Sequence, residues 1–354
     1  MIMRKLKLLL KTLLVLFIIN LIVSNKNNVI FACTSFTLLV DSTIILGRNL
    51  DVENDMGYVF VNRRGVKKKA YFSRQSSEIS AEWTSKYGNI TFNQISKDIP
   101  HGGMNEAELV VEHLYLGESK YELKDQRPAL ISHQWVQYML DNCKSVSEII
   151  AISSNIRISD TDYKFPIHFH VMDKSGDRAV IEFLNGKMLV YKDETYKIGV
   201  LANSTYENSI NQFVTNEDKN EGEPLPTDIS NSLERFIKAA KMVEKYNNES
   251  PIPYSFSILD AVKNDTQWQI IYDIKNLQIY YRTKSLDEIR ILRMSDFSYQ
   301  DTQTAPINDK EINMNWREYN KTIGAEMING ICKESEFINS ILGNEKEEIA
   351  NYQN

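Results

Sequence analysis

Phe31-Ala32-Cys33-Thr34-Ser35-Phe36, followed by Gly47-Arg48-Asn49-Leu50-Asp51, is the stretch from which the rest of the chain is read. Cys33 lies just past an export-like leader and heads a strand-like run. If the leader is removed up to Ala32, Cys33 becomes the first residue and carries a thiol and a free α-amine on one carbon. That pair is a self-contained nucleophile and base. Arg48 and Asp51 sit on a segment that would pair back against the first strand. Arg48 could stabilise a thiolate, and Asp51 could hold the α-ammonium or relay its proton. Spacing alone favours a surface ion pair on a turn for these two.

The leader has the order of a signal peptide. Arg4, Lys5, Lys7 and Lys11 precede Thr12–Val23, an uncharged apolar run too short to span a bilayer comfortably. Ser24-Asn25-Lys26-Asn27-Asn28 then separates that run from Cys33. Cleavage directly after Ala32, or near Ser24 with later trimming or self-cleavage of a propeptide, would both expose Cys33. The expectation is therefore a signal peptide or propeptide over 1–32 and an exported protein, periplasmic or extracellular. Two other readings stand beside it: an uncleaved anchor, and a lipoprotein acylated on Cys33. Bulky Phe31 and the polar spacer weigh against acylation.

The whole chain of 354 residues is 42% apolar, enough for one large core or two small domains. Residues 1–32 carry five cations and no acids, so their loss takes the formal charge from −6 to −11. An acidic chain argues against nucleic acid as partner. Three cysteines, Cys33, Cys143 and Cys332, do not frame an exported protein with disulfides. Cys143 reads as a small buried apolar residue, and a Cys143–Cys332 pair stays open. No Cys-x-x-Cys or His-x-x-x-His spacing occurs, so no metal site is expected. His168 and His170 alternate on a strand and read as packing residues.

From Cys33 the pattern is strand-rich. Thr34–Val40 and Thr43–Gly47 flank a turn at Asp41-Ser42, and Ile90–Gln94 follows the hairpin signal Gly88-Asn89. His101-Gly102-Gly103-Met104-Asn105-Glu106 reads as a glycine-bearing turn before the strand Leu109–Leu116. Ala129–Asn142 and Val146–Ser154 have helical spacing, with Ser145 and Glu148 placed as a capping box. Ile167–Met172, Ala179–Leu184 and Lys187–Tyr191 form a second strand block joined by tight turns, including Asn185-Gly186. Lys197–Ala202 is a strand ending at Asn203, Asn216–Thr227 a polar loop, and Leu233–Tyr246 a helix. Gln267–Ile274, Gln278–Thr283 and Ile289–Met294 complete the strands. After residue 302 the chain is charged and helix-prone, without strand signals. The order strands, helices, strands, helices, strands implies an α+β fold of two sheets, each covered by helices. No Gly-x-Gly-x-x-Gly turn or strand–helix alternation supports a doubly wound parallel sheet.

Other chemistry is sparse. His101 is the one histidine with a distinctive local context, in the glycine turn; His113 and His133 read as satisfied partners within regular elements. A strand-end amide such as Asn203 can donate to an oxyanion or simply turn the chain. Arg235 taken alone is a solvated helical arginine.

Together, however, the segments resemble the choloylglycine hydrolase family of N-terminal nucleophile (Ntn) hydrolases, which holds penicillin V acylases and bile salt hydrolases. The resemblance runs from Cys33 to about Ser298 on an ordered set of motifs. These are Cys33-Thr34-Ser35, Gly47-Arg48-Asn49-Leu50-Asp51, Gly103-Met104-Asn105-Glu106, Leu201-Ala202-Asn203-Ser204, Ser232-Leu233-Glu234-Arg235-Phe236, Thr266-Gln267-Trp268 and Tyr272-Asp273. It implies a four-layer αββα sandwich of two mainly antiparallel sheets, which takes up 33–302; the charged, helix-prone pattern after it reads 303–354 as a C-terminal helical extension. It implies hydrolysis of linear carbon–nitrogen amides through a thioester, with no cofactor, a small-molecule acyl amide as substrate, and a homo-oligomer. Cys33 would be the nucleophile and its α-amine the base. Arg48 and Asp51 would tune and orient it, Asn203 would help form the oxyanion hole, and Arg235 would support the site electrostatically. Tyr115 falls at a substrate-pocket position where bile salt hydrolases often carry Asn and penicillin V acylases Tyr. The chain departs from the pattern at Ala107-Glu108, at Ser204-Thr205 and in the tail, which bears on substrate choice. Acyl homoserine lactones and acylethanolamines are alternative substrates on the same fold, and a non-catalytic Cys33-lipidated surface binding protein is the rival of a different class.

Overall fold

The computed structural model describes residues 32–354 apart from 74, 163, 220–230, 248, 312, 343–345 and 352–354. The leader reading, Ala32 excepted, lies outside the described residues. Among these no helix is long and apolar enough to cross a membrane.

The β-branched run after Cys33 forms β1 (Thr34–Val40), and the chain reverses at Asp41, whose φ is 51°. It returns as β2 (Thr43–Asp51), so the Arg48–Asp51 motif is strand rather than exposed turn. The next strands are β3 (Tyr58–Asn62), β4 (Lys67–Lys69), β5 (Glu82–Thr84), β6 (Asn89–Asn93), β7 (Pro100–Asn105) and β8 (Leu109–Tyr115). After β9 (Ala129–Leu130) come helices α1 (Ser132–Asn142) and α2 (Val146–Ser153). Ser145 Oγ accepts the Glu148 N–H at 3.2 Å, the expected N-cap of α2. Next are β10 (Arg157–Ile158), β11 (Ile167–Asp173), β12 (Arg178–Leu184), β13 (Lys187–Lys192) and β14 (Val200–Leu201). Asn185 and Gly186 turn the β12–β13 hairpin with both φ values positive, 54° and 74°. Helices α3 (Tyr206–Lys219), α4 (Ser232–Lys245) and α5 (Pro251–Ala261) precede β15 (Thr266–Asp273), β16 (Gln278–Thr283) and β17 (Arg290–Arg293). The tail holds β18 (Gln303–Pro306), β19 (Arg317–Glu318), α6 (Lys321–Glu334), α7 (Glu336–Leu342) and α8 (Lys346–Asn351).

Six strands form one antiparallel sheet in the order β14-β1-β2-β15-β16-β17. Nine form the other, β13-β12-β11-β8-β7-β6-β3-β18-β19. Helices α4 and α5 pack on the first sheet, and α1 and α2 on the second. The fold is therefore the expected α+β sandwich of two mainly antiparallel sheets. Period-2 alternation assigns the faces. On β8, Val110 and Leu114 enter the core between the sheets, while Leu109 and Val111 pack under α1 and α2.

Three expectations change. The glycine turn at 101–106 is strand β7, wholly buried. Its glycines serve close approach: a Cβ on Gly102 would stand 2.1 Å from the Glu112 carboxyl carbon, and one on Gly103 would stand 2.3 Å from the Ile90 carbonyl. The polar stretch from Asn216 begins inside α3, and the rest of that predicted loop lies largely outside the described residues. The tail read as helical opens with a strand, because Gln303–Pro306 pairs with β3 and extends the larger sheet. α6 then lays Ile323 and Met327 against Phe60.

Candidate active site

β1, β2, β15 and α4 bring their polar side chains to one end of the sandwich. Cys33, at the head of β1, is 2% exposed. Arg48, buried on β2, donates from Nη2 to Cys33 Sγ at 3.6 Å and to the His113 carbonyl at 3.3 Å. Its Nη1 lies 2.9 Å from Glu112 Oε2, across the gap between the sheets. The Tyr272 hydroxyl on β15 donates to the other Glu112 oxygen. Burial pushes the Glu112 carboxyl up to about 7 against the pull of Arg48 and Tyr272. Burial also pushes the Cys33 thiol up, Arg48 draws it down, and Asp51 raises it. The residue-level logic is that of a thiol needing both a cation and a base.

Asp51 ends β2 and does not pair with Arg48. Its Oδ1 accepts the Thr266 hydroxyl at 2.6 Å, while Oδ2 is buried without a hydrogen-bond partner. Burial raises its carboxyl to about 7, opposed by Thr266, Arg235 and Arg48. A raised carboxyl gives a definite sign. Between the ordinary carboxylate range and about 7 the folded chain keeps a proton that the unfolded chain has lost. Its contribution to stability is full in acid and is lost as pH rises through about 7. Asp51→Asn is expected to flatten the fall in melting temperature of the unprocessed chain between about pH 5 and about pH 8. Parallel profiles for the two proteins would refute the assignment.

Asn203 follows β14 and is held from three sides. Its N–H donates to Ser232 Oγ at 2.8 Å, its Nδ2 to the Tyr115 carbonyl at 2.8 Å, and its Oδ1 accepts Arg235 Nη2 at 2.8 Å. Ser232 and Arg235 are three apart on α4 and so share a helix face. Arg235 Nε also donates to Thr34 Oγ1 at 3.2 Å, tying α4 to the residue after Cys33. Arg235 is thus buried, not solvated, and its charge acts on both Asp51 and Cys33. The amide of Asn203 is oriented, with one Nδ2 hydrogen left beyond the Tyr115 bond. Tyr115 takes part through its carbonyl, while its ring lies 6.0 Å from Phe165. His168 bridges Glu182 Oε1 at 3.0 Å and the Ala202 carbonyl at 2.8 Å, fixing the residue before Asn203. His170 spans Ser35 Oγ and the Tyr196 hydroxyl, both at 2.7 Å. Both are packing residues, as expected.

The five expected residues Cys33, Arg48, Asp51, Asn203 and Arg235 therefore form one connected constellation. Sequence reading missed Glu112, although a carboxylate inside Leu109-Val110-Val111-Glu112-His113-Leu114 is itself a signal of a buried partner. Thr266 and Tyr272 were marked by motif but without a role. All three cysteines are free. Among the described residues one group has metal-ligand geometry: His101, His113 and His133, whose ligand atoms all lie within 4.8 Å of one another.

The profile of the linear amide C–N hydrolases, choloylglycine hydrolase family, matches residues 33–305. A penicillin V acylase of Pectobacterium atrosepticum is 25% identical over 254 residues, 59% of this chain; the match spans 66% of that relative, just under two thirds of its length. Among solved structures, penicillin V acylase from Agrobacterium tumefaciens superposes with a TM-score of 0.68 at 22% identity, covering 81% of this chain and 98% of that one. A mutant of conjugated bile acid hydrolase from Clostridium perfringens gives 0.62 at 21% identity, covering 81% and 97%. At such identities the structures speak to the fold alone, and it is theirs, an Ntn-hydrolase sandwich. The match over 33–305, on a site assembled from Cys33 onward, places the chain in the choloylglycine hydrolase family of linear amide C–N hydrolases.

Proposed function

We propose that the protein is an exported amidase that cleaves linear acyl amides with Cys33 as its N-terminal nucleophile. The observation that carries this reading is a buried arginine 3.6 Å from the Cys33 sulfur, together with the buried Asp51 carboxylate, one oxygen unused, whose charge acts on that thiol. Removal of the chain up to Ala32 turns the Cys33 nitrogen from an amide, which is no base, into an amine that titrates near neutrality. The thiol proton passes to that amine. The Asp51 carboxylate holds the resulting ammonium, and Arg48 holds the thiolate.

The sulfur then attacks the amide carbon and the carbonyl electron pair moves to oxygen. The remaining Asn203 Nδ2 hydrogen, together with main-chain N–H groups, receives that oxyanion. Collapse breaks the carbon–nitrogen bond, the ammonium proton goes to the departing amine, and a thioester is left on Cys33. Water, deprotonated by the α-amine, attacks the thioester; the thiolate leaves and the acid is released.

For the substrate, Tyr115 favours an acyl amide of the penicillin V type over a conjugated bile acid, and the homo-oligomer implied by the family belongs to the same proposal. A diacylglyceryl group on Cys33 would place a bulky chain on a sulfur that is buried and held by Arg48, which speaks against the lipidated binding protein.

The test is the N-terminus and intact mass of the protein recovered from its host. A chain starting at unmodified Cys33 and active on an acyl-amide panel is expected. A fully active chain starting near Asn25, or one carrying a lipid on Cys33, would overturn the proposal.

A further inference from the structure

Three of the five histidines, far apart along the chain, meet in the fold. His101 lies on β7, His113 on β8 and His133 on α1. Their ring centroids are 5.2 Å apart for 101–113, 4.4 Å for 113–133 and 5.7 Å for 101–133. All three are buried. Phe165, 4.8 Å from the His133 ring, and Trp268, 5.7 Å from that of His101, close the sides with apolar surface.

Such a cluster is costly as mere packing. A neutral imidazole carries one donor and one acceptor, and a buried polar atom without a partner is destabilising. His113 is 2% exposed and neither of its ring nitrogens has a hydrogen-bond partner. For His101 the tautomer can be derived. The Gln94 amide nitrogen donates to the Asn54 and Met56 carbonyls at 3.2 and 3.0 Å, so its oxygen faces His101 Nε2 at 3.1 Å. That oxygen only accepts, so Nε2 carries the hydrogen and Nδ1 carries the lone pair; Nδ1 has no partner. An imidazole whose far N–H is held by a carbonyl oxygen is the usual state of a metal-ligating histidine.

We propose that His101, His113 and His133 form a three-imidazole site for a divalent transition metal of the zinc class, with the fourth position open. The assignment is independent of the proposed amidase function. Imidazole nitrogens around one tetrahedral zinc lie about 3.3 Å apart, so small ring rotations close the cluster. Arg48 is the cation facing the site, and its ion pair with Glu112 offsets its field on an incoming dication.

The test uses the full chain, free of any tag and carrying Cys33→Ser, so that the active-site thiol cannot ligate. After dialysis against chelator it is titrated with Co2+ and then with Zn2+. One Co2+ per chain is expected, with the intense visible bands of a tetrahedral site, lost on adding Zn2+. Gln94→Leu, which frees the His101 ring, is expected to weaken binding about 10–100-fold. His113→Asn, checked as folded by circular dichroism, is expected to abolish the bands. X-ray absorption of the Co2+-loaded protein needs no further variant: three nitrogen scatterers at about 2.0–2.1 Å are expected. No bound metal, an oxygen-only shell, or unchanged bands in folded His113→Asn would overturn the proposal.

Discussion

Cys33→Ala is expected to abolish amide hydrolysis. Removing a covalent nucleophile costs roughly a millionfold in turnover where it has been measured in other hydrolases, and here nothing replaces it. The nearby histidines are neutral and buried, and Cys143 is a buried thiol pushed up to about 12. Cys33→Ser keeps the shape but puts a poorer nucleophile beside Arg48, so most activity goes while a residue above Cys33→Ala remains. The measurement is single-turnover release of amine from an acyl amide, with each variant's N-terminus verified. Full activity in Cys33→Ala would sink the nucleophile assignment. Because the alanine variant can still bind substrate, a KM-like dissociation constant near that of the parent separates lost chemistry from a lost fold.

The second large effect is on stability. Glu112→Leu removes the carboxylate between Arg48 and Tyr272 and strands a buried guanidinium. Breaking a buried pair on one side costs about 3–5 kcal/mol. The urea midpoint should fall accordingly with the slope unchanged. Replacing both sides, as Arg48→Met with Glu112→Leu, should recover much of the loss, since apolar substitutes for a whole buried pair are often neutral. The double variant should nevertheless stay inactive, because the cation 3.6 Å from Cys33 Sγ is gone. A Glu112→Leu protein within about 1 kcal/mol of the parent would show that Arg48 finds its compensation elsewhere.

Much of this was legible in the residues. Alternation and turn chemistry located the strands, and Asn185-Gly186 turns as its composition requires. The motif order brought Cys33, Arg48, Asp51, Asn203 and Arg235 forward as a set. What stayed hidden is what depends on distance in the fold rather than along the chain. Glu112 is paired with a strand of the opposite sheet, so local pattern could not name its partner. His101, His113 and His133 come from two strands and a helix and show no ligand spacing. The 101–106 stretch misled because two adjacent glycines signal a turn locally, whereas here they make room for a neighbour across the sheet. The strand Gln303–Pro306 was missed because it is short and polar at its start, and its pairing with β3 decides its form.

The contact between Gly102 and Glu112 has a consequence for how this chain can vary. A hydrogen at position 102 is the space in which the Glu112 carboxyl sits, 2.1 Å from where a methyl carbon would be. Position 102 cannot drift alone: a side chain there becomes admissible only in a lineage that has already shed the acid at 112, and with it the counter-charge of Arg48. The two should therefore change in a fixed order during divergence, acid first and glycine second. Libraries built to reshape this enzyme should treat them as a single linked site, never as two independent ones.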